Sequence, residues 1–204
     1  MVYLKLEKTD LEVLAFMVED VSKEHSIKEL AEILKRPYVK VHASIKRLAK
    51  KGIITEKILG KAHYCALDYK NNTDVACFVE AQKAKDFASK NKPIKIFLEN
   101  IKEKLSFPDY TLAIFGSVAK GRSKKNSDLD LAVITTKQNL QKTERAISAV
   151  ARITSIKIHA IEFTYTDFIE MLKSKELTVG KEILKNHIII HGCDQFYRCI
   201  MLSQ

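Results

Sequence analysis

YTLAIFGSVAKGRSKKNSDLDLAVI, residues 110–134, sets two apolar runs around a short polar, basic segment. Residues 110–115 and 131–134 have strand length and are rich in branched and aromatic side chains. Between them lie Gly116-Ser117, ten residues, then Asp128-Leu129-Asp130. The reading is strand, Gly-Ser turn, short helix or loop, strand. Gly116 has no Cβ, so a bulky anion can approach its backbone closely. Ser117 adds a hydroxyl, and a helix starting there would offer free N–H groups to phosphate. Lys120 and Arg122 follow with positive charge. Two residues apart on a strand, Asp128 and Asp130 turn both carboxylates to one face. Paired hard oxygen ligands suit Mg²⁺ when substrate phosphates complete its octahedron.

On these residues the chain resembles the DNA polymerase β-like nucleotidyltransferases, in their minimal nucleotidyltransferase branch. The resemblance covers about the C-terminal two-thirds. It implies a small mixed sheet with helices and use of Mg²⁺ or Mn²⁺. It also implies transfer of a nucleoside monophosphate from a nucleoside triphosphate such as ATP, with release of pyrophosphate. By it, Gly116, Ser117, Lys120 and Arg122 hold the triphosphate, and Asp128 and Asp130 hold the metals. The family's third carboxylate stands on a later strand, here expected over residues 155–164, where the candidate is Glu162. It would act as general base or as a further metal ligand; a strand-edge glutamate paired with a lysine is the alternative. The acceptor does not carry over, because one fold serves many substrates.

The N-terminal third has a different pattern. Residues 9–21 read as a helix with a Thr9–Glu12 capping box, and residues 26–34 repeat the device with Ser26 and Glu29. A third helix starts after Pro37 and stops at Gly52. Residues 53–57 and 63–67 make a β-hairpin around Gly60. Three helices and a hairpin resemble a winged helix-turn-helix domain of the transcription-regulator kind. By that resemblance the third helix enters the major groove of duplex DNA. From Lys35 to His63 there are nine Lys and Arg against a single Glu56, as phosphate neutralisation requires. The DNA-facing candidates are Lys35, Arg36, Lys40, His42, Lys46, Arg47, Lys50, Lys57 and Lys61. A protein-binding winged helix with a solvated basic face is the competing reading.

The bulk properties agree with both parts. The 204 residues carry a net charge of +10 and a pI near 9.3, favouring polyanionic partners. No apolar run spans a bilayer and no signal peptide is present, so the expectation is a cytoplasmic protein without a membrane partner. Cys65, Cys77, Cys193 and Cys199 form no CxxC pair, which argues against zinc and for reduced thiols. His187 and His191 read as structural. Helices over residues 73–90 and 94–105 join the two parts, and the first could carry a homodimer contact. The fold expected is α/β (α+β): a winged helix-turn-helix at 1–70, a helical connector at 71–106, and a polymerase β-like nucleotidyltransferase domain at 107–204. Two functions stay open. One is an enzyme acting on a hydroxyl of a protein, nucleic acid (RNA included) or small molecule. The other is a DNA-binding transcription regulator, or an antitoxin-like partner of a toxin-like protein, whose nucleotidyltransferase domain senses nucleotide or is inactive.

Overall fold

The computed structural model describes residues 5–60, 62–122 and 127–204. Two compact units divide the chain, Met1–Val79 and Glu80–Gln204.

In the first unit, α1 (Lys8–Met17), α2 (Ile27–Ile33) and α3 (Tyr38–Lys50) pack around Val13, Leu14, Leu30, Val41, Ile45 and Leu48, all without exposure. Each such side chain stabilises the unit by about 1.5–3 kcal/mol. The hairpin β2 (Ile54–Leu59) and β3 (Ala62–Leu67) follows. A two-residue strand β1 (His25–Ser26) pairs with the inner edge of β3, giving the order β1-β3-β2. This is a winged helix-turn-helix. Its first cap differs from the expected one. Helix α1 starts at Lys8, and the capping box is formed by Glu7 and Asp10, two residues before the Thr9–Glu12 pair. At α2 the Ser26 hydroxyl accepts from the Glu29 amide at 3.1 Å, as expected.

The second unit is built on a four-stranded mixed sheet. Helix α4 (Thr73–Lys90) runs from the first unit into it, and α5 (Lys92–Lys104) follows with Pro93 in its first turn. Then come β4 (Tyr110–Phe115), the four-residue α6 (Gly116–Ala119) and β5 (Leu129–Thr135). Helix α7 (Leu140–Ala151) crosses to β6 (Ile158–Thr164), which lies parallel to β5. After α8 (Tyr165–Lys173) and α9 (Val179–Lys185), β7 (His187–His191) pairs antiparallel with β4, and α10 (Cys193–Leu202) closes the chain. The order is β6-β5-β4-β7.

Strand alternation gives the sheet two buried faces. On one, Leu112, Ile114, Leu131 and Val133 pack with Phe97, Leu98 and Ile101 of α5 and Ile147 and Val150 of α7. The other carries Phe115, Ala113 and Phe163, with Phe168 of α8 and Phe196 of α10 stacked in sequence over it. Of β4 and β5, only Asp130 is not buried. A carboxylate in an otherwise uncharged pair of strands is costly unless charge or water meets it, so the exception marks where chemistry can occur.

Candidate functional site

Asp130 sits at the start of β5, opposite Phe115, the last residue of β4. The chain then turns at Gly116 with φ +70°, a left-handed conformation that glycine adopts without strain. A Cβ on Gly116 would lie 2.2 Å from Asp130 Oδ2. The missing side chain therefore lets the turn and the carboxylate touch. That contact joins the two halves of the motif, and it answers to the sequence expectation for Gly116 in a different way: the close approach is made by the protein's own carboxylate.

The other residues expected here are arranged less uniformly. Ser117 lies in α6, and its carbonyl accepts from the Arg122 amide at 3.0 Å. Arg122 is exposed. Lys120 is held by Glu182 of α9 at 3.2 Å. Asp128 is exposed and stands just before β5 begins, two positions ahead of Asp130. The donor chemistry of Asp128 and Asp130 fits a hard divalent cation. Among the described residues no three His, Cys, Asp or Glu groups are placed to hold a metal by themselves. Phosphate oxygens and water would have to complete the coordination, as they do for Mg²⁺.

Glu162 does not join this site. Parallel register pairs it with Val133, and Val133 faces the α5–α7 core. Glu162 is therefore on the face opposite Asp130, where burial and the neighbouring Glu144 push its pKa up. This corrects the expectation of a third catalytic carboxylate. The residue that does share Asp130's face on β6 is His159, its register partner, with Nδ1 3.0 Å from Asp130 Oδ1. Nothing in the motif's spacing marks His159; only the register does.

A cleft of about 530 Å³, lined by residues including Thr135, Thr136, Lys137 and Tyr165, lies at the carboxyl ends of β5 and β6. Asp130 is near the opposite end of β5, so the cleft lies away from it. His187 and His191 are structural: His187 bonds the Ile183 carbonyl and Glu80, while His191 stacks on Tyr110.

On the first unit, four of the expected DNA-facing residues are tied within the protein. Arg36 makes a two-pronged pair with Glu12 at 2.9 and 2.6 Å. Lys46 pairs with Glu56 at 3.0 Å, and Lys57 lies 3.9 Å from Glu24. Arg47 holds the buried Asp10 at 2.8 Å and Glu7 at 2.9 Å. Lys35, Lys40 and Lys50 are exposed and form no ion pair among the described residues. His42 stacks on Tyr38 with ring centroids 5.8 Å apart and meets His63 edge-on at 6.4 Å. Lys61 lies outside the described residues. No described helix is long and apolar enough to cross a membrane.

The two parts of the chain match different families. Residues 94–191 match the family described as Nucleotidyltransferase domain. Residues 5–71 match a family described as HVO_A0114. No curated protein matches. A solved structure, described as "Structure of TrmBL2, an archaeal chromatin protein, shows a novel mode of DNA binding", is 12% identical and has a TM-score of 0.31. The match covers 86% of this chain and 69% of that one. That likeness is too slight to bear on fold or function.

Proposed function

We propose that the nucleotidyltransferase domain at residues 94–191 moves a nucleoside monophosphate from a nucleoside triphosphate to a hydroxyl acceptor, and that the winged helix-turn-helix at the N-terminus directs this activity through duplex DNA. The observation that carries the reading is the contact of Asp130 with Gly116. It sets a partly exposed carboxylate directly against the Gly116 turn, in strands that are otherwise buried.

Asp128 and Asp130 would hold Mg²⁺ or Mn²⁺, which when bound neutralises phosphate charge and orients the triphosphate. The Gly116-Ser117 turn admits the phosphates, with Arg122 and Lys120 supplying positive charge. For Lys120 this requires release from Glu182. An acceptor oxygen then attacks the α-phosphorus in line, the bond to the β-phosphate oxygen breaks, and pyrophosphate leaves. The acceptor's proton passes to solvent or to a base that the acceptor complex brings, since Glu162 is on the other face.

Division of labour follows the chain: DNA contact in residues 1–70, a helical connector at 71–106, transfer in 107–204. Lys35, Lys40, Lys50 and the Tyr38–His42 stack form the surface offered to DNA. The place of action is the cytoplasm, where the four free thiols stay reduced.

Among the described residues no third carboxylate stands beside Asp130, which favours a second reading, a DNA-binding regulator that senses nucleotide without transfer. Incubation of the protein with each labelled triphosphate, Mg²⁺ and a lysate of the source organism separates the two. A labelled RNA or protein band, a toxin-like partner among the candidates, supports transfer. Tight nucleotide binding with no labelled product supports sensing.

A further inference from the structure

His159 enters the site from β6, through the register of a strand pair rather than through the motif. Parallel pairing sets it directly beside Asp130. Its Nδ1 is 3.0 Å from Asp130 Oδ1. An ionised carboxylate only accepts, so Nδ1 carries the hydrogen and donates it. The second oxygen, Oδ2, lies against Gly116 in the space a Cβ would need. Both oxygens of Asp130 are thus assigned, one to the imidazole and one to the turn. The His159 side chain is 61% exposed, and among the described residues its Nε2 has no hydrogen-bond partner.

Resting on the reading of Asp130 as a metal-holding carboxylate, we propose that His159 is a positioning residue that aims Asp130 Oδ2 at the Gly116-Ser117 turn. The terminal torsion of an aspartate is broad and twofold. A fixed donor on Oδ1 removes that freedom before ligand arrives, so less ordering remains when metal and triphosphate bind. Hydrogen bonds of this kind to a ligating group typically change metal affinity ten- to a hundredfold. The imidazole also brings no negative charge, unlike a third carboxylate. The site therefore keeps two carboxylates and depends on triphosphate oxygens to hold the cation, which links metal arrival to nucleotide arrival.

The test measures Mn²⁺ binding by electron paramagnetic resonance on the full chain, with and without a non-hydrolysable ATP analogue. It compares wild type with His159→Ala, His159→Asn and His159→Gln. Asparagine places its amide nitrogen where Nδ1 stands; glutamine places it near Nε2. The expected result is a loss of about ten- to a hundredfold in Mn²⁺ affinity for alanine, recovery of most of it by asparagine, and none by glutamine. Thermal melting without ligand should be the same for all four, since the ring is exposed. Alanine binding Mn²⁺ as the wild type does would overturn the assignment and leave the reading of the site intact. Recovery by glutamine alone would also overturn it, by moving the role to Nε2 and direct ligation. A wild type that binds no Mn²⁺ with the analogue overturns both.

Discussion

Replacing Arg47 with alanine should loosen the N-terminal unit, in contrast to the loss of a simple DNA contact. Asp10 is fully buried on α1. It accepts from Ser44 Oγ at 2.6 Å and from an Arg47 guanidinium nitrogen at 2.8 Å on Oδ1, and from the Glu7 amide at 3.0 Å on Oδ2. Burial alone raises the pKa of such a group, but the hydrogen bonds from Ser44, Arg47 and the Glu7 amide, together with the Arg47 charge, outweigh it and hold the carboxyl below its usual value. Removing one partner of a fully buried pair costs about 3–5 kcal/mol. The Arg47 side chain is 36% exposed, so water and salt replace part of the interaction. The expected loss is therefore nearer that of one charge-assisted hydrogen bond, about 1.5–3 kcal/mol. In a unit of this size each kcal/mol moves the midpoint by roughly 4–8 °C. Urea or thermal unfolding of the full chain, wild type against Arg47→Ala, measures it. The folded pKa of Asp10 is depressed, so its contribution is complete above the unfolded value near ~3.9 and is lost as pH falls through the folded one. The gap between the two proteins should narrow in acid accordingly. An unchanged midpoint at neutral pH would refute the reasoning.

Other substitutions separate the remaining claims. Lys40→Ala with Lys50→Ala should weaken duplex binding and lower the slope of log affinity on log salt by about 2, one unit per lost phosphate contact, with no shift in melting; fluorescence anisotropy across a salt series reads this. Gly116→Ala should remove nucleotide binding, because its Cβ would meet Asp130 Oδ2 at 2.2 Å and φ is +70°; melting with and without Mg²⁺ and nucleotide reports it. Glu162→Gln should leave nucleotide and metal affinity unchanged. It should raise stability slightly at pH values above the ordinary glutamate pKa, since the raised pKa means the ionised glutamate opposes folding there; a turnover loss of tenfold or more would restore Glu162 to the site.

The parts of the fold that repeat locally are legible in the sequence, and those set by distant pairing are not. The apolar runs of β4 and β5 and the turn at Gly116 follow from short-range pattern. The face of Glu162 does not. It depends on the register of β6 against β5, and a one-residue change in that register exchanges Glu162 for its neighbours. His159 entered the site by the same route. The engagement of Arg47 is equally nonlocal, since Asp10 is 37 residues away in sequence. A run of basic residues looks like a DNA surface until those partners are seen. The cap of α1 shows a local ambiguity, because Glu7–Asp10 and Thr9–Glu12 have the same three-residue spacing, and folding chose the pair whose second member also reaches Ser44 and Arg47.

The most direct measurement of the central claim is thermal melting of the wild type and the Asp128→Asn, Asp130→Asn double variant, each with nucleotide alone, Mg²⁺ alone and both. A site in which two carboxylates and a triphosphate share one cation must bind metal and nucleotide with mutual enhancement. The wild type should therefore melt higher with both ligands than either alone accounts for, in proportion to the logarithm of ligand concentration above the dissociation constant. The double variant, nearly isosteric, should fold and lose that joint effect. A wild type without a joint effect for any of the four common triphosphates, or a double variant that keeps it in full, would contradict the assignment of this site.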